Sequence, residues 1–228
     1  MIQGDGKIEY SEKLWISSFC QQGVERKNNE DSVFFRDFPH ERYAILGVAD
    51  GMGGLERGEA ASALVCEIFN VPLIEHPGSE LEERAKKANL LLYSNREKQG
   101  TTIAIVVIDK KKYTYSALSV GDSRIYKYSK LALEQLSIDD RLSPLSSALS
   151  RAIGIDQHIS NLDIISGKTR KGDSWLLSTD GIHSFVNADD IKEIIQLYKK
   201  HSVVVELAKQ AIHRGSGDDM TTVFCVIN

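Results

Sequence analysis

Five short acidic junctions are the places where this chain could do chemistry: Glu30-Asp31, Asp50-Gly51, Gly121-Asp122, Asp180-Gly181 and Asp218-Asp219. Each lies where an apolar stretch begins or ends, so folding that stretch into a strand carries a carboxylate to the rim of a core. The strongest case is AILGVADGMGG, Ala44 to Gly54, in which Ile45, Leu46 and Val48 can bury a strand on both faces and leave Asp50 at its end. Gly51, Gly53 and Gly54 lack a Cβ, so the backbone there can fold tightly and bring its carbonyls close to a bound group. An Asp-Gly hairpin is the plain alternative at this one site, and Asp and Gly populate ordinary turns everywhere. Five such junctions in one chain argue against turns alone.

An all-oxygen donor set with no accompanying His or Cys cluster suits hard divalent cations, magnesium or manganese. If the carboxylates converge, each pair within about 4 Å repels by roughly 1 to 4 kcal/mol, so the cluster calls for cations. Two ions about 4 Å apart can lower the pKa of a bridging water and hold a phosphoryl group, which implies hydrolysis at phosphorus. Arg26, in the polar loop Gln21 to Asn29, would then clamp phosphate oxygens with its planar fork. Other candidates fail. Gly167-Lys168-Thr169 is similar to the end of a phosphate-binding loop, but Leu162 stands where its first glycine is required, so a turn is expected. Glu56 breaks a G-x-G-x-x-G pattern after Asp50. Ser123 has no histidine in a recognisable arrangement and reads as a turn serine.

The elements that must hold these residues follow from periodicity. Strands are expected at Leu14 to Cys20, Ser32 to Phe35, Ala44 to Asp50, Thr101 to Ile108, Tyr113 to Val120, Arg124 to Tyr128, Leu162 to Ile165, Ser174 to Thr179 and Met220 to Ile227. Helices are expected at Glu59 to Phe69, with Ala60, Ala63, Leu64, Glu67 and Ile68 on one amphipathic pattern, and at Leu81 to Lys98. In the latter, Leu81, Ala85, Ala88 and Leu92 share a face, while Glu82 with Lys86 and Glu83 with Lys87 form a solvated one. Asn70 to Ser79, with Pro72 and Pro77, separates the two helices. Ala188 to Tyr198 and Val203 to His213 complete the helices, and Ser129 to Asn161 reads as a loop with one short helix near Leu145 to Ala152. Blocks of consecutive strands with helices between them indicate an α+β layered domain.

Composition sets the outer bounds. With 228 residues, 42% hydrophobic and 26% charged, the chain is long enough for one large globular core, and a single domain over 1–228 is expected. A net charge of -4 and a pI near 5.9 provide no basic field for nucleic acid or an anionic membrane. The opening MIQGDGKIEYSEK has no apolar signal-peptide core, and no apolar run approaches spanning length, so a cytoplasmic protein is expected. Cys20, Cys66 and Cys225 fit neither a disulfide framework nor a zinc site and are read as reduced core residues.

Six spaced motifs, RKNNED at Arg26 to Asp31, GVADGMGG at Gly47 to Gly54, Gly100-Thr101-Thr102, VGDSRIY at Val120 to Tyr126, LSTDGI at Leu177 to Ile182 and GDDMTTV at Gly217 to Val223, together resemble the type 2C, metal-dependent protein serine/threonine phosphatases, in that family's order and over nearly the whole chain. Met52 within DGMGG and the LSRAIG segment at Leu149 to Gly154 resemble the bacterial branch. The resemblance implies a four-layer αββα sandwich of two mainly antiparallel sheets flanked by helix pairs, with two Mn2+ or Mg2+ ions in a cleft at one end. It implies that Asp50 bridges both metals, that the Gly51 carbonyl binds one, and that Asp180 and Asp218 hold the other. Glu30 and Asp31 would sit beside the metals or order their waters, Arg26 would bind substrate phosphate, and Asp122 would mark a third, weaker metal position.

By the same resemblance, water hydrolyses phosphoserine and phosphothreonine in proteins without a phosphoenzyme, acting on substrates of a serine/threonine kinase, as a monomer. Four departures stand out. Met52 occupies the place of the eukaryotic branch's histidine, a general acid, which leaves that role unassigned. Ser184 stands where a third-metal acid is usual, with His183 beside it read as a surface histidine. Asp219 stands where asparagine is common, and either stronger metal binding or repulsion of substrate would follow from its charge. The flap region, about 130–160, is shortened. Two other readings stand beside the protein phosphatase: a catalytically weak regulatory or binding module of the same fold, and a hydrolase of small phosphate esters.

Overall fold

The computed structural model describes residues 5–37, 41–52, 57–73, 75–95, 99–143, 146 and 148–228. Gly53, Gly54, Glu56, Lys98 and Leu145, named above, lie outside them. Strands β1 (Asp5–Tyr10), β2 (Leu14–Gln21), β3 (Asp31–Asp37) and β4 (Tyr43–Asp50) are followed by helices α1 (Gly58–Phe69) and α2 (Pro77–Ser94). Next come β5 (Ile103–Asp109), β6 (Thr114–Val120), β7 (Arg124–Ser129), β8 (Ala132–Gln135), β9 (Ile165–Lys168) and β10 (Ser174–Ser178). Helices α3 (Asp180–His183), α4 (Ala188–Leu197) and α5 (Val203–His213) precede the last strand, β11 (Met220–Ile227).

The strands form two antiparallel sheets, ordered β1-β2-β11-β10-β7-β8 and β3-β4-β5-β6-β9. Each central strand is apolar on both faces because both faces are covered. From β4, Leu46 and Val48 meet Ile16, Ile125, Trp175 and Val223 between the sheets. Its alternate residues Ile45 and Ala49 face outward onto Val65, Phe69, Leu81 and Leu92 of α1 and α2. On the opposite outer face, Phe19, Leu176 and Phe224 pack against Ile191, Val204 and Leu207 of α4 and α5. The result is the α+β four-layer sandwich expected, and the period-2 alternation of strand side chains is what separates its three cores. Among the described residues no helix is long and apolar enough to cross a membrane.

Several expectations need correction. The edge strands β1 and β8 had no apolar signal, and β9 lies at Ile165–Lys168 rather than Leu162 to Ile165, so Gly167 and Lys168 are in a strand, not a turn. No helix forms near Leu145 to Ala152 among the described residues; Leu149 instead makes an isolated bridge to Arg141. Helix α1 buries Ala61, Ser62, Val65, Cys66 and Phe69, one position away from the face read from the sequence. Pro77 opens α2, where its missing N–H and fixed φ are tolerated, so the linker is shorter than expected. The Gly121-Asp122 junction does more than turn a hairpin. It carries the chain from β6 in one sheet to β7 in the other, with Gly121 at φ 94°, a conformation that a Cβ would strain.

Candidate active site

Strand ends at one edge of the sandwich bring the acidic junctions together. Pairing of β3 with β4 sets Asp31 directly across from Asp50, and the Gly51 N–H donates to the Glu30 carbonyl at 3.0 Å. Gly51 has no room for a side chain: a Cβ would lie 2.2 Å from the Gly58 carbonyl oxygen. At the end of β10, Thr179 precedes Asp180. Its hydroxyl donates to Asp31 Oδ2 at 2.7 Å and accepts from the Thr221 N–H at 3.0 Å, which ties three strands to one carboxylate. Gly181 is equally confined, since a Cβ would stand 1.9 Å from the Asp219 carbonyl oxygen.

Asp50, Asp122, Asp180 and Asp218 line one cleft of about 480 Å³, together with Arg26 and Gly51. Thr101 and Thr102, whose roles the sequence did not disclose, fasten Asp50 in place. The Thr101 hydroxyl donates to the Asp50 carbonyl at 2.8 Å, and the Asp50 N–H donates to Thr102 Oγ1 at 3.0 Å. Thr102 Oγ1 in turn bonds Ser123 Oγ at 2.7 Å, so that serine is buried support. Arg26 grips both oxygens of Asp218: Nη2 donates a charged hydrogen bond to Oδ2 at 2.6 Å, and Nε lies 2.6 Å from Oδ1 as an ion pair. Met52 also lines the cleft, and its thioether has no proton to give.

The electrostatics are those of acids crowded together and dried. Burial, then Asp31 and Asp180, hold the Asp50 carboxyl well above the usual carboxylate range. Burial, then Asp122 and Asp218, push Asp180 up to about 6. Burial also raises Asp31, Glu30 and, against the pull of Arg141, Asp122. The hydrogen bonds to Asp218 are the largest influence that raises Arg26, which therefore stays charged.

Glu30 and Asp31 part company at the site's edge. Asp31 is buried behind Asp50, and its Oδ1 has no hydrogen-bond partner among the described residues. Glu30 is half-buried, with its carboxylate against the start of α1 at Gly58. Asp219 has a structural part that its sequence position did not indicate. Its two oxygens accept the backbone N–H groups of Gly23 (2.8 Å) and Glu30 (2.9 Å), pinning the Arg26 loop to β11. His183 is buried rather than a surface histidine; its Nδ1 bonds Ser178 Oγ at 3.0 Å, and burial pushes its pKa well down. Arg141 escaped notice because it lies in a stretch without periodicity; its guanidinium meets Asp122 Oδ2 at 2.8 Å.

This donor set fits hard divalent cations, because four carboxylates and one orphaned buried carboxylate oxygen face or back a single cleft. No three His, Cys, Asp or Glu side chains among the described residues are already gathered as a metal cage. Two of the cleft acids have arginine partners instead: Arg26 holds both oxygens of Asp218, and Arg141 holds Asp122.

A family model described as protein phosphatase 2C matches residues 23–213. The chain belongs to that family. Within it, the serine/threonine protein phosphatase PstP of Mycobacterium tuberculosis is 27% identical over 92% of this chain, which spans 44% of that protein's length. The serine/threonine phosphatase stp of Listeria monocytogenes is 25% identical over 90% of this chain and 92% of its own length. In three dimensions the chain resembles the crystallised catalytic domain of PstP in complex with two manganese ions, with a TM-score of 0.81 at 24% identity, covering 94% of this chain and 98% of that one. The four-layer sandwich is thus the phosphatase 2C fold.

Proposed function

We propose that this protein is a metal-dependent phosphatase that hydrolyses phosphoserine and phosphothreonine in proteins. The observation that carries the reading is the convergence of Asp50, Asp122, Asp180 and Asp218 on one cleft that also holds Arg26. Relatives named serine/threonine phosphatases, one of them crystallised with two manganese ions, support it. Asp50, the Gly51 carbonyl, Asp180 and Asp218 would hold two Mn2+ or Mg2+ ions, with Glu30 and Asp31 orienting water around them. Two such ions supply a water of lowered pKa and neutralise charge on a phosphoryl group.

The chain's own residues do the rest. Asp50 is held rigid at its backbone by Thr101 and Thr102, so its carboxylate meets a ligand already oriented. Arg26 grips the oxygens of Asp218 that a cation would share, and with that cation bound its guanidinium would be free to take two oxygens of the substrate phosphate. Thr102 is the hydroxyl nearest to Asp50 in the cleft lining, and its commitment to Asp50 and Ser123 leaves it no role as a nucleophile. Water is accordingly the attacking group, and the leaving alkoxide takes its proton from solvent, since Met52 has none to offer. The shortened flap, a monomeric state, a cytoplasmic location and the opposition of a serine/threonine kinase belong to the same proposal.

The deciding experiment compares a phosphothreonine peptide with an aryl phosphate, each with manganese. Turnover of both is expected, with the peptide preferred in kcat/KM. Turnover of the aryl ester alone would favour the small-ester hydrolase, and none on either substrate would favour a binding module.

A further inference from the structure

The acid row ends at Asp122, and there the chain supplies its own cation. Arg141 places two donors on one oxygen, Nε at 3.0 Å and Nη2 at 2.8 Å from Asp122 Oδ2. Both side chains are largely covered, 20% and 7% exposed respectively. The stretch that bears Arg141 is fastened to the turn that bears Asp122. Asp140 Oδ2 accepts the Gly121 N–H at 2.9 Å, and the Asp140 N–H donates to the Gly121 carbonyl at 2.9 Å. Arg151 Nε donates to the same Asp140 oxygen at 3.0 Å, and the neighbouring Asp139 is held by Arg124 Nη2 at 2.7 Å. Arg141 is therefore positioned from both sides and does not merely lean on a convenient acid. Ser184, four residues beyond Asp180, brings no carboxylate that could help Asp122 hold a metal.

We propose that Arg141 is a resident cation occupying the place where a third metal would meet Asp122, so that the chain binds two divalent ions and not three. Asp122 then acts as a latch that holds Asp139, Asp140 and Arg141 beside the cleft. The donors expected for a third ion do not fit one, because the only carboxylate among them is already matched by a guanidinium whose fork cannot lose its proton. This inference rests on the two-metal reading above.

Counting bound Mn2+ by electron paramagnetic resonance of the free ion tests it without reference to activity. The wild-type chain should bind two ions at millimolar manganese, and Asp122→Asn should still bind two. Arg141→Gln, which uncovers Asp122, should gain a third and weaker ion, whereas Arg141→Lys, which keeps the charge, should not. A wild-type count of three that falls to two in Asp122→Asn overturns the proposal, as does a folded Arg141→Gln that stays at two. If Arg141→Gln does not fold, the Asp122→Asn count decides alone. A wild-type count of zero sinks the two-metal reading and this inference with it, whereas a count of three sinks only the inference.

Discussion

Asp180 and Asp218 share a cleft but meet different counter-charges. Both oxygens of Asp218 are held by Arg26. Asp180 feels Arg26 and Arg141 only through space, too weakly to offset burial and its acidic neighbours, and its carboxyl is held up to about 6. A carboxyl raised in the folded state stabilises the fold fully below its unfolded value of 3.8, and that contribution is lost as pH rises through about 6. In chelator, the wild type should therefore lose stability relative to Asp180→Asn between those pH values. Parallel melting curves for the two proteins across that range would contradict the assignment. Arg26→Lys keeps the charge and loses the fork; with manganese its kcat/KM on a phosphothreonine peptide should fall roughly 10- to 100-fold, the equivalent of one charged hydrogen bond. An unchanged value would remove Arg26 from phosphate binding.

Elements with strong apolar signals, such as β4, β5 and β11, were legible in the sequence because both faces of each are buried, and their ends located Asp50 and Asp218. The edge strands of the six-stranded sheet were not. β1 and β8 are mostly exposed, so their residues follow no apolar alternation, and backbone pairing alone defines them. The buried face of α1 was misjudged because Ala60, Ala61, Ser62 and Ala63 are all small and leave the hydrophobic pattern nearly flat around the helix. Arg141 and the threonines around Asp50 act through contacts between distant segments, which spacing along the chain does not encode. The helices carry their own tests. Asn187 caps α4 reciprocally with Asp190, so Asn187→Ala should destabilise the protein by about 1 kcal/mol in urea unfolding. Leu81, fully buried under α1 and the five-stranded sheet, should cost about 2 to 5 kcal/mol as Leu81→Ala. A smaller loss in the second than in the first would contradict the layer assignment.

For the whole molecule, two sheets packed face to face bring strand ends from both halves of the chain to one edge, where acids as far apart in sequence as Asp50 and Asp218 share a cleft. Such a site binds cations only when folded, so manganese should raise the melting temperature, by the equivalent of roughly 2.7 kcal/mol at a hundredfold excess over Kd. Asp218→Ala should lose most of that gain, and an equal gain in both proteins would place the manganese elsewhere. The most direct test of the central claim is phosphate release from a phosphothreonine peptide by protein stripped with chelator and then reloaded with manganese, for the wild type and Asp50→Asn. Turnover that is abolished by stripping, restored by manganese in the wild type and absent from Asp50→Asn is the predicted result; turnover that survives stripping, or is restored equally in both, would contradict it.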